Sequence, residues 1–306
     1  MLKQPKTAPP QGVSVMSDRL FRFGVVAGFA PTAQAWAAMA RRAESLGYAT
    51  FLIPDTQATL SPFPALAAAA TATSSLRVGT YVLSAPNRTP AAVAWESASL
   101  DLLSGGRFEL GLGAGRPAAQ HDAARLGVRF GTPGERVQRL ADTIRAVEEL
   151  CGRPSDGGPV RPVQQPHPPI LVAGHGTQVL RLAAQQADIV ALGLPPQTSE
   201  EQLAAKVDEL SDLAGARFDD VELALNVAAV AGELEDLPGN GWLARQVGGD
   251  PRVMAVLGGT AFLVGKPAQV ADTLRRRRDT LGISYITVSA MFLEQLAPLV
   301  EQLAGT

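Results

Sequence analysis

Apolar residues along this chain follow two alternating rhythms. Short, nearly continuous apolar runs are separated by longer stretches in which apolar positions recur every three or four residues. The runs predict strands over 21–28, 50–54, 76–83, 107–113, 170–173, 188–192, 221–230 and 283–289. The longer stretches predict helices. Between 32 and 46, Trp36, Met39, Ala40, Ala43 and Leu46 share one face, and Gly47 ends the segment. A short alanine-rich helix starts at Ser61. Thr89 and Pro90 supply an N-cap and a first-turn proline for the next helix. Val93, Leu100 and Leu103 are expected on its buried face, and Ser104-Gly105-Gly106 stops it. Thr132 and Glu135 have the spacing of a capping box ahead of the stripe Val137, Leu140, Ile144 and Val147. Further helices are predicted over 177–187, 199–214, 264–281 and 293–303.

Strand followed by helix, repeated eight times, predicts a parallel sheet covered by helices, and eight such units fit a (β/α)8 TIM barrel. An open doubly wound sheet would not need eight. The glycine- and proline-containing stretch 232–259, with a short helix near Trp242, breaks the rhythm and is expected as an insertion before the last βα unit. The segment 152–169 holds six prolines and three glycines, which predicts an extended connection without a helix. Residues 1–19 are polar, proline-rich and aperiodic, so they are expected as a disordered leader, with 20–306 forming one domain.

Composition acts mainly by exclusion. With 306 residues, 46% of them hydrophobic, the chain can bury a large core. A net charge of −2 lacks the basic excess expected of a nucleic-acid partner. The single cysteine, Cys151, rules out an intrachain disulfide and is expected as a buried structural thiol. His121, His167 and His175 are dispersed, so no metal site is expected. No apolar run reaches membrane-spanning length and no secretory signal is visible, which sets the expectation of a soluble, cytoplasmic protein with no membrane partner.

In a barrel of this kind, chemistry gathers at the C-terminal ends of the strands. Gly111, Gly113 and Gly115 alternate there, leaving a face without side chains that suits either a flat ligand or a closely packed neighbour. Asp55 is the one carboxylate that directly follows a strand, as a functional group or as a turn cap. The turn Ala173-Gly174-His175-Gly176-Thr177 leads into a helix N-terminus, where free N–H groups and the helix dipole favour an anion. His175 either touches that anion or is a solvated loop residue.

The run LDLLSGGRFELGLGAG, residues 100–115, resembles the most recognisable segment of the bacterial luciferase-like family of flavin and deazaflavin oxidoreductases, above all the branch that uses coenzyme F420. The resemblance extends from about Phe21 to the C-terminus. It implies a barrel with the cofactor across the C-terminal strand ends, near Gly113, Ala114, Gly115 and Arg116. It places the phosphate region at Ala173, Gly174, His175, Gly176 and Thr177, and Asp55 at the ring edge as the catalytic candidate. By position it also implies a non-proline cis bond, Tyr81–Val82, behind the ring; an ordinary strand with Tyr81 in the core is the alternative. Many deazaflavin relatives carry an aspartate–histidine pair at strand two, whereas this chain reads Pro54-Asp55-Thr56, so the resemblance names no proton donor. The implied reaction is hydride transfer between deazaflavin C5 and a small organic substrate, whether an activated alkene, an imine or a carbonyl/alcohol pair. An FMN-dependent monooxygenase and a non-catalytic flavin- or ligand-binding barrel are the alternatives. Homodimers are common in the family. The loop after strand four and the insertion are expected to shape the substrate pocket.

Overall fold

The computed structural model describes residues 19–152, 160–239 and 241–306. All of the expected leader except Arg19, and part of the proline-rich connection, lie outside these residues. In chain order the strands are β1 (Arg22–Val26), β2 (Thr50–Ile53), β3 (Arg77–Thr80), β4 (Leu83–Ser84), β5 (Phe108–Gly113), β6 (Ile170–Ala173), β7 (Ile189–Ala191), β8 (Glu222–Val227), β9 (Ala229–Ala231), β10 (Phe262–Val264) and β11 (Ile283–Ser289). The helices are α1 (Ala33–Ser45), α2 (Pro62–Ala72), α3 (Pro90–Leu103), α4 (Ala119–Arg125), α5 (Pro133–Gly152), α6 (Thr177–Gln186), α7 (Glu200–Ala214), α8 (Trp242–Val247), α9 (Pro251–Val256), α10 (Pro267–Leu281) and α11 (Leu293–Leu303).

The main sheet runs β3-β2-β1-β11-β8-β7-β6-β5-β4, all pairs parallel, and pairing of β3 with β5 closes it. β3 and β4 are two pieces of one barrel strand, so the barrel has the eight staves that the sequence rhythm predicts. The helix caps form as the sequence implies: Thr89 accepts from the Ala92 N–H, and Thr132 and Glu135 complete their reciprocal bonds.

Four expectations are corrected. The third strand, expected as continuous over 76–83, is interrupted at Tyr81 and Val82, while the peptide bond between them is cis as the family resemblance implies. The seventh predicted strand is two: β9 leaves the barrel after Ala228 and pairs with β10 in a separate two-stranded sheet. Helix α4 stands in the loop after β5, where none was expected. Leu103 is 69% exposed, because only Val93 and Leu100 of its predicted stripe turn inward.

Alternation along the strands divides the barrel interior into levels. Its N-terminal floor is charged: Arg22 holds both oxygens of Glu222 at 2.7 and 2.6 Å and donates to Glu109 at 2.7 Å, while Arg77 donates to the same Glu109 oxygen at 2.6 Å. The Arg22 guanidinium lies 3.7 Å from the centre of the Tyr285 ring, whose hydroxyl shares a 2.6 Å hydrogen bond with Thr50. Above the floor comes an apolar waist of Leu52, Leu171, Ile189, Ala191 and Ala224. The larger core lies between the sheet and the helices.

Burial by itself would raise the Glu109 carboxyl; the guanidiniums of Arg22 and Arg77 outweigh it and hold the group below the usual carboxylate range. Its stabilisation is present above the unfolded-chain value of about 4.3 and is lost as pH falls through the depressed folded value. Removing one member of a buried ion cluster costs about 3–5 kcal/mol. Glu109→Gln should show that loss in urea unfolding at neutral pH, and the gap from the parent should narrow in acid. A variant as stable as the parent at pH 7 would show that the floor does not depend on this charge.

Candidate functional site

The alternating glycines of β5 make room for the chain itself. A Cβ on Gly111 would lie 2.0 Å from the Thr80 carbonyl oxygen, and one on Gly113 would lie 2.9 Å from Val82 Cγ2. The segment joining β3 to β4 therefore fills the face that lacks side chains. Thr80 secures it, accepting from the Gly111 N–H at 2.8 Å and donating to the Gly111 carbonyl at 2.7 Å. Of the two readings of this face, close packing is the one seen at Gly111 and Gly113. Gly115 lies beyond the strand at φ +83°, a conformation that favours glycine, with Ser84, Pro86 and Phe130 around it. Arg136 clamps this loop by donating to the carbonyls of Ala114 at 3.1 Å and Gly131 at 3.0 Å, and it lies over the Phe130 ring. Arg116 is exposed.

Asp55, at the end of β2, is turned toward the segment after β4. Its Oδ2 accepts from the Ser84 N–H at 3.1 Å, Asn87 Nδ2 at 3.3 Å and Arg88 at 2.7 Å. With a side chain only 8% exposed, it is a strut between two strand ends. Arg88 also approaches Glu96 of α3 at 3.7 Å. Burial pushes the Glu96 carboxyl up, and Arg88 only partly opposes this. Ser84 Oγ and Asn87 Oδ1 are buried without a hydrogen-bond partner. Sequence reading missed Asn87, Arg88 and Glu96. The available signal was a glutamate set in the otherwise uncharged first turns of α3.

Tyr81, like Val26, Val82 and Ala173, packs against the cluster that forms the apolar waist. Burial pushes its phenol up to about 12, against the effect of a hydrogen bond with Thr287. Thr287 in turn donates to Asn226 Oδ1 at 3.1 Å, and Asn226 is exposed, so a polar line runs from Tyr81 to the accessible end of the barrel.

The turn after β6 is held by backbone. The Gly174 N–H donates to the Ala191 carbonyl at 3.0 Å, and Gly193 packs directly against Gly174. His175 Nδ1 donates to the Gly193 carbonyl at 2.9 Å, which puts the ring proton on Nδ1 and leaves the exposed ring with Nε2 free of that bond. Gly176 is the N-cap of α6, with no side-chain cap and no atom within 4 Å of where its Cβ would stand. Thr177 makes a 3.4 Å contact with Glu209.

These candidates share one arc of the rim. Asp55 bonds Ser84, Ser84 pairs with Gly113, and Gly113 pairs with Ala173, which opens the α6 turn. An uncapped helix N-terminus fits a phosphate, and the unpartnered Ser84 and Asn87 atoms fit the polar edge of a ligand. The faces of Gly111 and Gly113 do not fit a ring, because Thr80 and Val82 already occupy them. Among the described residues, no group of three His, Cys, Asp or Glu side chains is arranged for a metal ion, and no helix is long and apolar enough to cross a membrane.

Comparison with known proteins adds an independent line. A family model described as luciferase-like monooxygenase matches residues 16–237. A phthiodiolone/phenolphthiodiolone dimycocerosates ketoreductase of Mycobacterium tuberculosis is 31% identical over 229 residues, covering 65% of this chain and 59% of that protein. The match thus spans about three-fifths of that relative's length. The Mycobacterium kansasii protein of the same description is 29% identical over 300 residues, covering 80% of this chain and 81% of its own. An F420-dependent secondary alcohol dehydrogenase, solved with an F420–acetone adduct, has the same fold, with a TM-score of 0.69 at 16% identity over 93% of this chain and 99% of that one.

If Asp55 and Arg88 form one strut, their substitutions should be non-additive. Hydrogen bonds to charged groups are worth about 1.5–3 kcal/mol. Asp55→Asn and Arg88→Met should each cost about that much in unfolding free energy, and the double variant little more than either. Fully additive losses would show that the two side chains act apart.

Proposed function

Because the chain belongs to the luciferase-like monooxygenase family, whose model covers residues 16–237, we propose that it is an oxidoreductase that uses coenzyme F420 to reduce a carbonyl group to an alcohol. The observation that carries this reading is the open, uncapped start of α6 on the same rim arc as Asp55, Ser84 and Gly113. The ketoreductase description of the mycobacterial relatives supports a carbonyl substrate.

In this reading the phosphate would be held by the first backbone N–H groups of α6 and by His175. Ser84 and Asn87 would meet the polar edge of the ring system, kept in place by Asp55 and Arg88. When bound, reduced F420 supplies a hydride from C5. The chain's own task is to orient the cofactor and substrate and to hold a proton nearby. Thr56 stands where many deazaflavin relatives have histidine. Tyr81, with its phenol pushed to about 12, keeps its proton at neutral pH and is the acid this rim offers instead. The proton would come from the Tyr81 oxygen, and the line through Thr287 to exposed Asn226 leads back to water.

Fluorescence titration of the purified chain tests the cofactor. F420 should quench with saturable affinity, and FMN should bind at least about tenfold more weakly, a difference of about 1.4 kcal/mol. Tight FMN binding with undetectable F420 binding, or oxygen-dependent turnover with reduced FMN, would make the monooxygenase reading the better one. Gly176→Asp tests the phosphate. Its side chain has open space and suits an N-cap, so the fold should be as stable as the parent or slightly more so. Its charge should nevertheless weaken F420 binding, an effect partly relieved by salt. Parent-like affinity would place the phosphate elsewhere.

A further inference from the structure

Asn226 stands within β8 between Leu225 and Val227, which are both buried, yet it is itself exposed. β11 and β7 pair with β8 on its two sides, so this exposure means that the barrel interior is open at that level. Alternation sets the level. Asn226 and its register partner Thr287 stand two residues above Ala224 and Tyr285, which belong to the waist cluster. Thr287 gives its single hydroxyl proton to Asn226 Oδ1 at 3.1 Å, which occupies the acceptor end of the amide. Among the described residues nothing accepts from Nδ2, so its two N–H groups are available to a ligand.

Tyr81, which hydrogen-bonds to Thr287, follows β3. From β3 to β8 the closed sheet passes through β2, β1 and β11 one way and through β5, β6 and β7 the other. Tyr81 and Asn226 thus start from opposite walls, and the chain Tyr81–Thr287–Asn226 bars the barrel at the top of its waist. The other half-buried residues packed on the waist are Val26, Val82 and Ala173, all apolar. A ligand resting on this bar meets hydrogen-bonding groups along one line and hydrocarbon beside it, with no charged side chain among them.

We propose that the Asn226 amide donates the hydrogen bond that holds the oxygen of an uncharged carbonyl substrate, beside the Tyr81 phenol. The proposal rests on the reading of the chain as a carbonyl reductase and adds the group that selects and orients the substrate. That reading puts the polar edge of the ring at Ser84 and Asn87, beside β4 on the far wall, which leaves Asn226 to the substrate. Reduction gathers negative charge on the carbonyl oxygen, so a donor fixed there in advance holds it more strongly as charge develops. Thr287 is the positioning residue, because its bond to Oδ1 aims the Nδ2 end.

A matched pair of probes tests this without cofactor or turnover. Cyclohexanone and methylenecyclohexane have nearly the same shape, and only the first has an oxygen to hold. Binding is followed by the side-chain amide signal of Asn226 in ¹⁵N-labelled protein, identified by its loss in Asn226→Leu, and by backbone signals in the variants. The ratio of ketone to alkene affinity should fall about fivefold to tenfold in Asn226→Leu, the worth of one hydrogen bond. Asn226→Asp keeps an acceptor for Thr287 but has no N–H to give, and should show the same fall. Thr287→Val should lower the ratio less, since it frees the amide without removing it. Each variant should keep the parent's circular-dichroism spectrum and unfolding midpoint, and Asn226→Leu should bind F420 within about twofold of the parent. No saturable ketone binding by the parent, or an unchanged ratio in either folded Asn226 variant, would overturn the proposal. So would a tenfold loss of F420 affinity with the ratio unchanged, which would set the amide against a ring carbonyl. A parent that binds the ketone through Asn226 but does not bind F420 would support the proposal and count against the cofactor reading alone.

Discussion

The rest of the barrel depends on how closely β3 can approach β5. Their pairing begins with Val78 opposite Phe108 and resumes with Leu83 opposite Leu112, so five steps on one side match four on the other. The extra residue is a bulge. It pushes the Thr80 carbonyl and Val82 onto the inner face of β5, and only glycines at 111 and 113 leave space for them. Gly79 meets the same limit from the other side, since a Cβ there would lie 2.8 Å from the Glu109 carbonyl oxygen. One seam thus closes the sheet, turns Tyr81 into the barrel, and presents the Ser84 N–H to Asp55. The rim arc is a consequence of this packing.

Charge then decides which end of the barrel is open to chemistry. Arg22, Arg77, Glu109 and Glu222 pair with one another across the floor, and Tyr285 covers Arg22. The apolar waist above them offers no polar partner to a ligand. Unpartnered polar atoms of Ser84 and Asn87 and the uncapped start of α6 lie on the same arc of the rim. At the floor both guanidiniums converge on one oxygen of Glu109 and leave the other without a hydrogen bond, so what distinguishes the rim is the open start of α6 beside its unpartnered polar atoms.

The two alternating rhythms made the barrel legible, because period two and period 3.6 reflect burial directly. Partners were harder to read. Glycines at 111 and 113 announce missing side chains, but not that Thr80 and Val82, some thirty residues earlier, fill the gap. Asp55 was legible as a carboxylate at a strand end, while its partner Arg88 lies 33 positions away and follows no local spacing. The apolar run 221–230 hid the change of neighbour after Ala228, since both partners bury it. Leu103 misled for the opposite reason. On a helix that is apolar inside and outside, periodicity cannot say which leucines are buried.

That ambiguity in α3 has a physical origin. A helix normally exposes its charges because burying them is costly, whereas α3 buries Asp101 and turns the half-exposed Glu96 toward Arg88, giving each a partner. Asp101 fixes the backbone of Val163 and Gln164. Gln164 then reaches the Phe108 carbonyl and receives Arg77, a member of the charged floor. At its other end α3 presents Glu96 to Arg88, which holds Asp55 at the rim. The helix is therefore tied to both ends of the barrel by ionic side chains on its inner face. Its outer face carries Trp95, Leu102 and Leu103, so an apolar residue on α3 is no sign of burial, and the inward positions are marked instead by its two carboxylates.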